Sequence, residues 1–218
     1  MPRFSLKSIL SLAAFALAAT AVSAEEAKPA VYKGDAARGQ PLASAVCGAC
    51  HGPDGNSPTS ANPKLAGQHP AYLYKQMKNF QVGPDGKSER VNAIMNGMIA
   101  PYTDEQLKDF AAYFAEQKQV GGEMKQRDAL ELGKRLYRGG DASKGLPACA
   151  ACHGPTGSGI PAQYPRIAGQ FAEYTEAQLK AFRISERAND PNKMMQMVAE
   201  RMTDAEIRAV ADYIAGLH

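Results

Sequence analysis

A displaced self-match constrains this chain more than any other feature. Cys47-Gly48-Ala49-Cys50-His51-Gly52-Pro53 returns as Cys149-Ala150-Ala151-Cys152-His153-Gly154-Pro155, and Pro63-Lys64-Leu65-Ala66-Gly67-Gln68 as Pro165-Arg166-Ile167-Ala168-Gly169-Gln170, both 102 positions on. The same register carries Tyr72 onto Tyr174, Gln76 onto Gln178 and Phe80 onto Phe182. The offset then drops to 100, pairing Met95 with Met195, Thr103 with Thr203, Leu107 with Ile207 and Tyr113 with Tyr213. The two positions lost between Phe182 and Met195 fall in a run rich in Asn, Asp and Pro, which reads as a loop. Self-similarity over such a length means duplicated folding units. We divide the chain into a first unit at 25–118, a linker at 119–127 around Gly121-Gly122, and a second unit at 128–218.

The residues ahead of the first unit read differently. Arg3 and Lys7 precede an apolar stretch from Ile9 to about Val22, which ends in Val22-Ser23-Ala24. A charged start, an apolar run and small residues at its exit describe a secretory leader cleaved after about Ala24. A membrane span needs about 20 apolar residues. Removing residues 1–24 leaves 194 of the 218 residues and, with Arg3 and Lys7 gone, lowers the formal net charge from +3 to +1. So slight a balance gives no dense basic surface for nucleic acid. The expected product is an exported, periplasmic protein.

Each unit reads as helices joined by loops heavy in Gly and Pro. Thr103 with Gln106, and Thr203 with Glu206, form capping boxes that open the last helix of each unit. Within it Leu107, Phe110, Ala111 and Phe114 keep i, i+3, i+4, i+7 spacing, as do Ile207, Val210, Ala211 and Ile214. An earlier helix precedes each Cys pair, from about Asp35 to Val46 and from about Asp128 to Tyr137, and a middle one covers Tyr72 to Phe80 and Tyr174 to Phe182. Gly133 and Tyr137, one turn apart, would let the first helix of the second unit cross closely over the last; Gly39 and Ala43 stand there in the first. No period-two alternation is sustained, so the class is all-α. Units of this size bury only a little over about 60% of their unfolded surface, and a large apolar cofactor at each centre would remedy that.

The chemistry lies in the two Cys-x-x-Cys-His runs. Two thiols three positions apart can each form a thioether with one haem vinyl group, and the adjacent His then brings its imidazole to the iron. A disulfide, a thioredoxin-like pair and a zinc site compete with this. The thioredoxin motif wants a βαβ setting, and a four-thiolate zinc site has no use for a His after both pairs. Cys47, Cys50, Cys149 and Cys152 are all the cysteines of the chain, so two covalent haem c groups use every thiol. His51 and His153 are the first iron ligands of this reading.

The sixth coordination position decides between carrier and catalyst. Only Met95 and Met195 are methionine in both units: Met98 aligns with Val198, Met194 with Ile94, Met197 with Gly97, Met202 with Tyr102 and Met77 with Leu179. A ligand must keep its type through duplication, whereas a core Met drifts to Val, Ile or Leu at small cost. Space-filling in the core is the plainer alternative for Met95 and Met195, and Met98 and Met194 are the next candidates. Pro63 and Pro165 fall 12 residues after His51 and His153. A carbonyl there suits the imidazole N–H that a ligating His donates, and a rigid turn suits the same spacing. His69 faces Phe171 across the repeat and His218 is terminal, so neither behaves as a ligand.

These motifs together resemble cytochrome c4, a family of two fused class I cytochrome c domains. The likeness rests on both Cys-x-x-Cys-His runs, the Pro-x-Leu/Ile-Ala-Gly-Gln segments, Leu136-Tyr137-Arg138-Gly139-Gly140, the two Met positions and Tyr213-Ile214-Ala215-Gly216-Leu217-His218. The resemblance implies ligation by His51 with Met95 and His153 with Met195, hydrogen bonds from the two His to the carbonyls of Pro63 and Pro165, and haems close together at the domain interface. It further implies a monomeric electron carrier rather than an enzyme. Such a carrier takes electrons from a quinol-oxidising complex and passes them to a terminal respiratory oxidase, and peripheral contact with a membrane is compatible with that role. A dihaem subunit of a flavocytochrome sulfide dehydrogenase is the nearest alternative. An enzymatic reading, a dihaem peroxidase or a thiosulfate-oxidising cytochrome, is more remote, since a peroxidase needs an open or switchable iron. A haem sensor would need an output domain, which the sequence does not provide.

Overall fold

The computed structural model describes residues 33–161 and 163–218; the expected leader lies outside them. In the first half Asp35 caps α1 (Ala36–Leu42) by accepting the Arg38 N–H. Pro41 sits inside this helix and withholds an N–H, and the chain widens into a π-helical turn, Ala43–Cys47, before tightening into α2 (Gly48–His51). Helix α3 (Pro70–Phe80) begins on a proline whose missing N–H is no loss at that position. Helix α4 (Ala93–Ile99) is capped by Asn92, and α5 (Asp104–Glu116) carries the full Thr103/Gln106 capping box.

The second half repeats the plan. A 3-10 turn, Arg127–Ala129, leads into α6 (Leu130–Gly139); α7 (Ala150–His153), α8 (Ala172–Arg183), α9 (Met194–Ala199) and α10 (Asp204–Ala215) follow, the last with the Thr203/Glu206 box. Among the described residues there is no strand, only isolated bridges between Asp141 and Leu146 and between Ile160 and Tyr164. The all-α expectation stands. Three helices per half were expected and five are found. The additions, α2, α4, α7 and α9, span four to seven residues, too short for apolar periodicity to mark. They are held by tertiary packing rather than by propensity, and of the four only α4 has a side-chain cap from its N-cap residue, Asn92.

In each half the last helix is the hub: α1 and α3 pack on α5, and α6 and α8 pack on α10. Leu107, Phe110 and Phe114 meet Leu73 and Phe80 in one core, and Ile207, Val210 and Ile214 meet Leu136, Tyr137 and Leu179 in the other. Glycine sets both crossings. A Cβ on Gly39 would lie 2.3 Å from the Asp109 carbonyl oxygen, and one on Gly133 equally 2.3 Å from that of Ala209. The close approach expected of Gly133 therefore exists in both halves.

The halves join in one body through a buried polar seam with local two-fold character. Arg90 stacks on Phe80 and donates to Gln76, Tyr174 and Gln178; Arg187 stacks on Phe182 and donates to Gln178, Tyr72, Gln76 and Asn189. Burial alone would raise the Tyr72 hydroxyl, but the adjacent Arg187 and Arg90 guanidiniums outweigh it and hold its pKa below the ordinary value. The linker is fastened at both ends. The Val120 N–H donates to Asn56, the Lys64 ammonium reaches the carbonyls of Val120, Gly121 and Gly169, and Asp212 accepts the N–H groups of Lys125 and Gln126.

Candidate functional site

The two Cys-x-x-Cys-His runs form the last turns of their helices, ended by Gly52 and Gly154 at positive φ, where a side chain would be strained. No disulfide joins any of the four cysteines. Burial pushes Cys47 and Cys149 up to about 11, the opposite of the depressed thiol a thioredoxin-like pair requires. The four-thiolate zinc alternative also fails, since among the described residues no three His, Cys, Asp or Glu side chains gather as an ion site.

Both histidines are buried and fixed from one side. Nδ1 of His51 lies 2.9 Å from the Pro63 carbonyl oxygen, and Nδ1 of His153 lies 2.9 Å from that of Pro165. Among the described residues Nε2 of neither ring has a hydrogen-bond partner. Burial lowers the pKa of both imidazoles, against a smaller upward pull from the proline carbonyls. A neutral ring with one nitrogen anchored and the other free is the form in which histidine ligates iron.

The loops carrying Pro63 and Pro165 are braced identically. Gly55 O accepts Leu65 and Ala66, Gly157 O accepts Ile167 and Ala168, and the N–H groups of Gly67 and Gly169 donate to the ends of the hub helices at Phe114 and Ile214. The motif exits are tied by different tyrosines. Tyr113 donates to the Pro53 carbonyl at 2.8 Å in the first half, and Tyr137 to the Gly154 carbonyl at 2.6 Å in the second.

Of the candidate methionines, Met95 packs against the core cluster that also receives Cys47, and Met195 against the one that receives Cys149. Met98 is 41% exposed, and Met194 belongs to neither cluster. The N–H of Met95 is held by Asn92, and that of Met195 by Asp190. Cysteines outside any disulfide, imidazoles anchored at Nδ1 and an apolar wall with a thioether fit a covalent haem in each half. His69 lies beside Ser158 and Arg166, its buried Nε2 without a hydrogen-bond partner among the described residues, and His218 lies against Gly121. Two features escaped the sequence reading. The pairing of Arg90 with Arg187 was hidden by unequal loops, and Gln68 and Gln170 were visible only as motif letters.

Residues 36–118 and 130–218 each match the cytochrome c family model, so the polypeptide is two cytochrome c units in tandem. It is 47% identical over 192 residues to cytochrome c4 of Azotobacter vinelandii, covering 85% of this chain and 90% of that protein. The crystal structure of reduced recombinant cytochrome c4 from Pseudomonas stutzeri superposes with a TM-score of 0.80 at 44% identity, over 85% of this chain and all of that one. A thiosulfate dehydrogenase electron acceptor from Thiomonas intermedia is 40% identical over 178 residues, 80% of each chain. The chain belongs to the cytochrome c4 family. It carries two covalent haem c groups, at Cys47/Cys50 and Cys149/Cys152, and is an electron-transfer protein rather than an enzyme.

Proposed function

We propose that His51 with Met95 and His153 with Met195 are the axial iron ligands, that the carbonyls of Pro63 and Pro165 orient the two histidines, and that residues 25–118 and 128–218 are the two haem-bearing units. When bound, each haem supplies a one-electron couple. The chain's part is to hold an imidazole and a thioether in place, to exclude water, and to fill both axial positions so that no substrate enters. The observation that carries the reading is the repeated anchoring of Nδ1 with Nε2 left free, beside a core that receives both a motif cysteine and the repeat-matched methionine. A thioether ligand raises the potential of haem iron, which suits a carrier between a quinol-oxidising complex and a terminal oxidase.

On this reading the protein is cleaved near Ala24 and works in the periplasm as a monomer. Among the described residues no helix is long and apolar enough to cross a membrane. The likeness to a thiosulfate dehydrogenase electron acceptor favours a second reading of the donor alone, in which the same carrier is reduced by a thiosulfate-oxidising enzyme. Redox titration of the purified protein with visible spectroscopy tests the ligation. Two low-spin haems are expected, each with the weak far-red band of methionine on ferric iron, and neither should take up carbon monoxide when reduced. Carbon monoxide binding at either haem would refute the ligand set. Reduction rates measured with each class of donor separate the two readings.

A further inference from the structure

The proline carbonyls belong to peptide groups that reach across the seam. The Pro63–Lys64 peptide accepts the His51 Nδ1–H on its oxygen at 2.9 Å, and its N–H, on Lys64, donates to Oε1 of Gln170 at 3.0 Å. The Pro165–Arg166 peptide does the converse: its oxygen lies 2.9 Å from His153 Nδ1, and its N–H, on Arg166, donates to Oε1 of Gln68 at 2.9 Å. Each glutamine is held rigidly. Oε1 also accepts the N–H of the next residue, His69 or Phe171, while Nε2 returns to the Lys64 carbonyl from Gln170 at 3.0 Å and to the Arg166 carbonyl from Gln68 at 2.7 Å.

From this geometry we infer that Gln68 and Gln170 are positioning residues for each other's half: Gln170 tunes the iron ligand His51, and Gln68 tunes His153. A peptide is a resonant unit, so drawing on its N–H moves electron density onto its oxygen. A more negative oxygen pulls harder on the imidazole N–H and makes the other ring nitrogen a stronger donor. Stronger donation favours ferric iron. Each glutamine therefore lowers the potential of the haem in the opposite half. It also makes ligand tuning depend on an intact seam, a coupling that needs no movement of either half.

The inference rests on His51 and His153 being the iron ligands, and it can fail separately. In the full-length dihaem protein, Gln170→Met removes both arms of the amide and keeps its bulk. Spectroscopic redox titration gives the midpoints, and the shifted ring-methyl proton resonances of the ferric protein assign them to halves. The reduction equilibrium of the first-half haem should move about threefold towards the reduced state while the second-half haem stays in place. Gln68→Met should do the reverse. Gln170→Glu keeps an acceptor of greater charge and should move the first-half haem the opposite way, which preserves the test should the Met variant assemble poorly. Midpoints that do not move, that move together, or that move only in the half carrying the substitution overturn the inference. The ligand reading fails by a different result, a His51→Ala protein whose first-half haem spectrum is unchanged.

Discussion

The two halves approach the same motif by different routes. In the first, α1, the π-helical turn and α2 run unbroken into the Cys pair, so Gly39 stands eight positions before Cys47. In the second, α6 stops at Gly140, whose φ is +67°, and the chain makes a separate turn at Ala142–Lys144 before α7, so Gly133 stands sixteen positions before Cys149. The helix crossing and the His–Pro bond are nonetheless the same in both. Duplicated units thus keep the contacts that fix the cofactor and the hub helix, and they vary the path between them. Tyr137 occupies the place of Ala43 and takes over the brace that Tyr113 provides in the other half. The freed Tyr213 hydroxyl accepts from Arg138 instead.

The sharpest test of equivalence is at the methionines. Met195→Ala should open only the second-half haem to carbon monoxide and lower its midpoint by on the order of 0.2 V, a fraction of the ~0.8 V that axial ligands span; Met95→Ala should do the same only in the first half. A change at both haems from either variant breaks the comparison. Next in size, Gly133→Ala sets a Cβ against the Ala209 backbone and should cost about 3 kcal/mol in denaturant unfolding, with Gly39→Ala costing as much. Unequal losses would mean that the crossings only look alike.

A smaller effect separates the tyrosines. Tyr137→Phe leaves the Gly154 carbonyl without its partner and should lose about 1.5 kcal/mol. The more accessible Tyr113→Phe should lose less than about 1 kcal/mol. The smallest expected effect is on acid stability of the first half. Burial pushes the Asp109 carboxyl up, but the Arg38 guanidinium and the Asp35 N–H together hold its pKa below the ordinary range. A depressed folded value adds stability that is present above the unfolded pKa of about 4 and is lost as pH falls from there through the lower folded pKa. Asp109→Asn should flatten that part of the melting-temperature profile, and an unchanged profile would remove the pair from consideration.

Most of what matters was legible because duplication acts as its own control. The repeat singled out Met95 and Met195 as the ligand candidates among the methionines of the two units, and both capping boxes were readable from four residues each. Twelve-residue spacing left a rigid turn and a carbonyl partner equally open at Pro63 and Pro165, and only the fold brings those carbonyls to the ring nitrogens. Arg90 and Arg187 could not be matched by counting. Arg90 follows Phe80 by ten positions and Arg187 follows Phe182 by five, while Met95 follows Arg90 by five and Met195 follows Arg187 by eight, so the register shows only a net loss of two. The glutamine contacts are longer in range still. They join residues about a hundred positions apart, a distance at which one sequence without relatives gives no sign of contact.

The strap between the halves is pinned by Asn56 and Lys64 at one end and by Asp212 at the other. Beads on a slack tether meet by diffusion, and the pace of exchange between them follows the length of the string. Here the string carries no slack, so groups held in the two halves would sit at one fixed separation, and lengthening the connecting segment should leave any exchange between them unaltered until the pins themselves give way.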